Sequence, residues 1–342
     1  MFEFQWQVHT KGYQWIETSW DSLLPPEERA GTVWCLVPTL GEDAQPPPLQ
    51  NYRPLHTKTA LFRTFAQKAP TRDDICEFAN QYGLLGGEID TGVLLSWPQK
   101  PHRRIPLRGI CFDRWVYEQL LMRHVISLWD MLRKNNLDGL SHHVRWYGQD
   151  RVYYQSIPGV PAAEPVGRFP ESQLIWDTHG TAQLEIKAWI AAPWYDAHML
   201  DGLKAGELVK PTWCFMQRVI NERLKRSVAP QIVWDVTDKA LILRFMPRSL
   251  RGALWLQLAQ AIDGKKEYRQ CKESRCQAWF ELAPQVARTD KQFCSNACKT
   301  HAYRERQHHA RQLYAEGQTV QSIAQQVGSD IGTVQKWLRQ GS

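Results

Sequence analysis

Four cysteines constrain this chain more than any other feature. They follow the pattern Cys271-x4-Cys276-x17-Cys294-x3-Cys298, so half of its eight cysteines fall within 28 residues. Two close pairs separated by a spacer are what a four-thiolate metal shell requires, since each pair comes from one tight turn and the spacer brings the turns together. A shell of four cysteines leaves no open position for a bound water. The expected ion is therefore a single structural Zn2+, held by Cys271, Cys276, Cys294 and Cys298, with Phe280 and Phe293 packed beside it. His301 is the substitute ligand if one cysteine is not used. Ser295, next to the third cysteine, is placed to cap a helix that begins at the fourth.

Charge follows the cysteines. The chain carries a net +7, and residues 265–342 hold 13 Lys and Arg against 7 Asp and Glu, an excess of 6. The other 264 residues are close to neutral. A polyanion-binding tail has this asymmetry. Hydrophobic residues make up 43% and charged residues 23%, which excludes a disordered chain. The opening MFEFQWQVHTKGYQW has no basic segment followed by an apolar stretch, and no apolar run nears the roughly 18 residues needed to span a bilayer. A cytoplasmic protein with reduced thiols and no membrane partner is expected.

Beyond the zinc segment, Gly317 stops a basic helix and Thr319 caps the next, Val320 to Val327. Gly328 makes a turn, and Ile331 to Leu338 forms the third helix. Ile323, Ala324, Val327, Ile331, Val334 and Trp337 or Leu338 are its expected core. The outward candidates on the third helix are Ser329, Thr333, Gln335, Lys336 and Arg339, with Asp330 at its start. Gln335 suits adenine, and Lys336 and Arg339 suit guanine or phosphate. Lys299, Arg304, Arg306 and Arg311 precede them and suit phosphates.

Upstream, residues 2–20 alternate as a β-hairpin or two short edge strands, and 33–37 reads as a strand. The Pro-rich stretch 41–50 reads as a loop. Leu61, Phe62, Phe65 and Ala66 have helical spacing, and Thr71 caps a second helix that ends at Gly83. Residues 107–134 read as one long helix in which His124 is a hydrogen-bonded core histidine. Residues 157–172 read as an internal linker or long loop. Strand signals at 184–189, helices over 195–203 and 211–226, a hairpin over 231–245 and a helix over 250–262 complete the stretch. Cys35, Cys76, Cys111 and Cys214 read as isolated buried thiols, and the 16 Trp residues as core anchors. The stretch contains no phosphate loop, HExxH or G-x-S-x-G motif.

Residues 265–309 resemble the treble-clef zinc fingers of the CGNR type: a cysteine pair, an aromatic, the FCS-x-x-C-like knuckle Phe293–Cys298 and a basic helix occur in that order. The family's Cys-Gly-Asn-Arg tetrad is here Cys298-Lys299-Thr300-His301. The phrase EGQTVQSIAQQVGSDIGTVQKWL resembles the helix-turn-helix of resolvases, transposases and many bacterial regulators. Together these resemblances imply a DNA-binding regulator.

Three parts are thus expected: an α+β region over 1–264, a small treble-clef-like zinc finger over 265–309, and an all-α helix-turn-helix over 310–342. The expected partner is double-stranded DNA, bound by a homodimer or by part of a complex. Two other readings stand beside it: a DNA-processing or defence enzyme delivered by its C-terminal tail, and an RNA-binding or scaffolding subunit with RNA or protein partners.

Overall fold

A computed structural model describes residues 4–19, 32–41, 48–57, 59–87, 90–97, 100–148, 151–157, 171–190, 201–235, 237, 239–276, 278–282 and 290–339. The chain divides into two compact units, Met1–Gly264 and Lys265–Ser342. It is mixed α and β, with several small antiparallel sheets. Among the described residues, no helix is long and apolar enough to cross a membrane.

In the first unit, β1 (Trp6–His9) pairs with β4 (Leu49–Tyr52). A four-stranded sheet runs in the order β2 (Tyr13–Ser19), β3 (Thr32–Pro38), β6 (Lys100–Cys111), β5 (Thr91–Trp97). A second runs β7 (Val144–Tyr147), β8 (Arg151–Gln155), β10 (Ala182–Ile190), β9 (Glu171–Trp176). Of the two readings of the N-terminal alternation, the structure has two short edge strands and not a hairpin. β1 and β2 are adjacent in sequence, yet β1 pairs with β4 and β2 with the strand that follows it, β3. Gly12, at φ +73, turns the chain between them, and the Tyr13 amide donates to Asn80. The described end of the 41–50 loop enters β4.

The helices α1 (Pro54–Thr57), α2 (Leu61–Gln67), α3 (Arg72–Tyr82), α4 (Phe112–Arg133), α5 (Leu137–Ser141), α6 (Val209–Ser227) and α7 (Leu250–Asp263) complete this unit. Phe62, Phe65, Phe78, Trp115, Trp129, Phe215 and Trp255 are fully buried and supply its core, whereas Trp34, Trp176 and Trp234 are exposed and are not the core anchors expected. Thr71 caps α3 through the Asp74 amide at 3.2 Å, and Gly83 ends it at φ +82. The long helix starts at Phe112, five residues later than its apolar pattern suggests, because residues 107–111 belong to β6. The linker expected at 157–172 and the helix expected at 195–203 fall mostly outside the described residues.

Polar groups also lie inside this core. Glu118 is buried, with Arg251 Nη1 and Trp255 Nε1 each at 3.3 Å and Arg223 Nε at 3.5 Å. A carboxylate there needs those partners, because an isolated buried charge is very costly. His124 stacks edge-on with His143 and Phe215 and bonds the Tyr154 hydroxyl, which is the core role expected of it. Burial and the neighbouring His143 push its pKa down to about 3, so it is neutral in the fold. The thiols correct one expectation. Cys35 and Cys111 are not isolated: they face each other across β3 and β6 with sulfurs 3.2 Å apart. Cys76 is only half-buried.

A separate two-stranded ribbon, β11 (Val228–Asp235) with β12 (Ala240–Pro247), matches the expected hairpin. Among the described residues it joins no larger sheet.

In the second unit, β13 (Glu267–Gln270) pairs with β14 (Trp279–Leu282). Three helices follow: α8 (Asn296–Ala315), α9 (Val320–Val327) and α10 (Ile331–Arg339). Residues 309 and 310, the expected division, sit inside the continuous α8. Its described residues form two small apolar clusters rather than one. Cys271, Phe280 and Leu282 form the first, with Phe293 packed on it. Ala310, Leu313, Ile323, Ala324, Val327, Val334 and Trp337 form the second.

Candidate metal centre and basic helices

The β13–β14 hairpin closes through the Cys271 amide, which donates to the Ala278 carbonyl at 2.9 Å. Within it the Cys276 amide turns back to Glu273 O at 3.2 Å, so Cys271 and Cys276 face one point. The Lys272 amide reaches Gln292 O at 3.0 Å and draws the second cysteine pair alongside. Ser295 caps α8 by accepting from the Cys298 amide at 3.2 Å, which sets Cys298 in the first helical turn. The helix begins at Asn296, two residues before the fourth cysteine.

The result is one cluster. The four sulfurs all lie within 4.8 Å of one another. Cys294 Sγ is 3.6 Å from Cys276 Sγ and 3.5 Å from Cys298 Sγ, and the Cys294 amide points at Cys271 Sγ from 3.4 Å. A disulfide would hold two sulfurs at about 2.05 Å. A tetrahedral ion with metal–sulfur bonds of about 2.3 Å sets its ligands about 3.8 Å apart, close to the spacing found. Electrostatics points the same way. Burial and the three neighbouring thiols push the Cys294 thiol up to about 12, while the Ser295 hydroxyl draws Cys298 below its ordinary value. Four thiolates this close repel each other strongly unless a cation sits among them. The Cys271, Cys276, Cys294 and Cys298 group can hold a metal ion, and its sulfur donors suit a soft, closed site.

His301 is not part of that shell. It groups instead with Glu273 and Glu305. His301 Nδ1 is 3.0 Å from Glu273 Oε1, Ser274 Oγ donates to Glu305 at 3.1 Å, and Arg275 Nε is 3.5 Å from Glu305. These contacts clasp the first cysteine turn to α8. The sequence reading missed the clasp because Glu273 and Glu305 lie 32 positions apart and carry no spacing signal.

The three helices cross over their small core. Thr319 caps α9 through the Ser322 amide at 3.3 Å, and Gly328 adopts the left-handed conformation, φ 62 and ψ 45. Trp337 is buried, and its Nε1 donates to the Tyr303 hydroxyl at 2.5 Å. Of the expected core, Ile331 lies 44% exposed instead.

The nucleic-acid candidates separate into groups. At about 100° per residue, Gln335, Lys336 and Arg339 share one face of α10, opposite Val334 and Trp337, and all three are exposed. Thr333 borders the buried side, and its amide and hydroxyl are both bound to Asp330, at 2.8 and 2.7 Å. Ser329 is half-buried in the turn. On α8, Lys299 and Arg306 lie on the line that leads to Ala310 and Leu313, and Arg306 is half-buried there. Arg304 and Arg311 lie about 130° round the helix from that line. Arg311 donates twice to the Trp337 carbonyl, at 3.2 Å each, so it ties α10 to α8. The four basic residues of α8 therefore do not form one face.

No protein family, curated protein or solved structure matches this chain.

Proposed function

We propose that the chain is a zinc-containing protein that binds duplex DNA, acts as a transcriptional regulator, and reads its site with α10. In this reading Cys271, Cys276, Cys294 and Cys298 hold one structural Zn2+, and the knuckle-and-helix arrangement is a treble-clef-like finger. α9 and α10 form a helix-turn-helix. One observation carries the proposal: Gln335, Lys336 and Arg339 project together from a short helix whose other side is locked into a core. A recognition helix needs that geometry, with base-reading and phosphate-reading side chains on one exposed face. The excess charge of residues 265–342 adds the sequence-independent attraction. Lys299 and Arg304, both exposed, are the remaining phosphate candidates on α8. One such helix makes few contacts, so a second copy or a contact from the zinc module is part of the reading.

The test is binding of the zinc-loaded protein to duplex DNA and to RNA across a salt series. The expected result is duplex binding that weakens steeply with salt. Lys336→Ala with Arg339→Ala should weaken it further and flatten the salt slope by about 1 for each phosphate contact removed. Absence of duplex binding by folded, zinc-loaded protein would overturn the reading. A preference for RNA would move it to the RNA-binding alternative.

A further inference from the structure

The β11–β12 ribbon carries an unusual surface. Its register pairs Pro230 with Phe245, Ile232 with Leu243, and Trp234 with Leu241. Residues two apart on a strand, and residues directly opposite across a ladder, project to the same side. All six therefore share one face. Ile232 is 63% exposed, Trp234 60%, Leu241 68%, Leu243 58% and Phe245 50%. No charged side chain interrupts this face. The ribbon's ion pair, Arg244 with Asp235, lies on the other side, where Val233, Ile242 and Met246 are half-buried.

Five large apolar side chains left this open amount to about 600 Å² on a single chain, the upper end of what a soluble monomer exposes in one patch. We infer that this face is an interface between two copies of the chain, packed ribbon on ribbon about a two-fold axis. Three observations select a second copy. The area is close to the roughly 800 Å² that each partner contributes to a standard interface. The face is uniformly apolar, hence complementary to itself, as a two-fold contact must be. It offers no charge by which a polyanion or an ionic peptide could be recognised. Stacking face to face, about 10 Å apart, covers the apolar side chains of both copies. Pairing edge to edge would lengthen the sheet and leave that face in water. The inference does not depend on the DNA-binding reading, since the ribbon belongs to the other unit.

The experiment is sedimentation of the full-length, zinc-loaded protein over a wide concentration range. Wild type should be a dimer. Leu243→Glu should weaken the dimer by about 100-fold or more, because each substitution enters a two-fold interface twice. Gln231→Glu, one residue along the ribbon but on the opposite face, should leave the dimer unchanged. Far-ultraviolet circular dichroism of both variants should match wild type, since both altered side chains are exposed. A monomeric wild type would overturn the inference, including one that binds lipid vesicles or another protein through this ribbon. So would a dimer that Leu243→Glu leaves intact while Trp234→Glu also has no effect.

Discussion

The two units are held together differently. Residues 1–264 bury many large aromatics, among them Phe62, Phe65, Phe78, Trp115 and Trp255, together with a carboxylate and its partners. The described residues of 265–342 have no such interior. Among the described residues, the cluster beside the cysteines buries Cys271, Phe280 and Leu282, and the helical half relies on a cluster of seven that includes Trp337. Small modules cannot bury enough surface to stabilise themselves and draw on metals or tight local packing instead. A large core tolerates loss at one point, whereas a small one concentrates its stability in a few groups.

That contrast can be broken most directly at the cysteines. Chelation, or Cys294→Ser, should remove amide-exchange protection across 267–282 and the first turn of α8, while leaving the 1–264 core protected. A structural zinc held by these cysteines would contribute about 10–16 kcal/mol, far more than three buried side chains provide. Protection unchanged by chelation would mean that apolar packing alone holds the cysteine turns.

A matched pair of tryptophans sharpens the comparison. Trp255→Ala and Trp337→Ala each remove a fully buried indole and should each cost about 3–5 kcal/mol. In urea, the first should lower the midpoint of the larger unit and leave it folded in water. The second should leave α9 and α10 without exchange protection in water, since a core of that size has little stability to lose.

The smallest effect tests local construction. Thr319→Ala removes the hydroxyl that caps α9 and should cost about 1 kcal/mol, seen as faster exchange in α9 and α10 and nowhere else.

What the sequence made legible follows the same division. The cysteine spacing, the caps at Ser295 and Thr319 and the stop at Gly328 are local signals, and the structure brings each to its expected place. The strands of the first unit are set by distant partners. β1 finds β4 and β2 finds β3, so of the two readings of residues 2–20 the edge strands form and the hairpin does not. Leu107 and Ile110 sit three apart, which fits a helix, and this spacing hid the end of β6 ahead of α4. Charge was readable but its direction was not. Arg311 reads as a phosphate contact, and nothing in the sequence shows that it also donates to the Trp337 carbonyl. The exposed ribbon was invisible for a related reason. Ile232, Trp234 and Leu243 mark a strand, but nothing local says which side another element covers.

The continuity of α8 gives the second unit a kind of gearing. Its first turn is fixed at Cys298 and its last turns lie in the helical core at Ala310 and Leu313. One unbroken helix joins them, so the cysteine cluster sets the angular phase of everything mounted at the far end. Deleting a single residue between 302 and 308 would turn the core by about 100° and shorten the shaft by about 1.5 Å. Deleting seven would bring it back to within about 20° of its original phase. Between the two ends, length and angle cannot be changed independently.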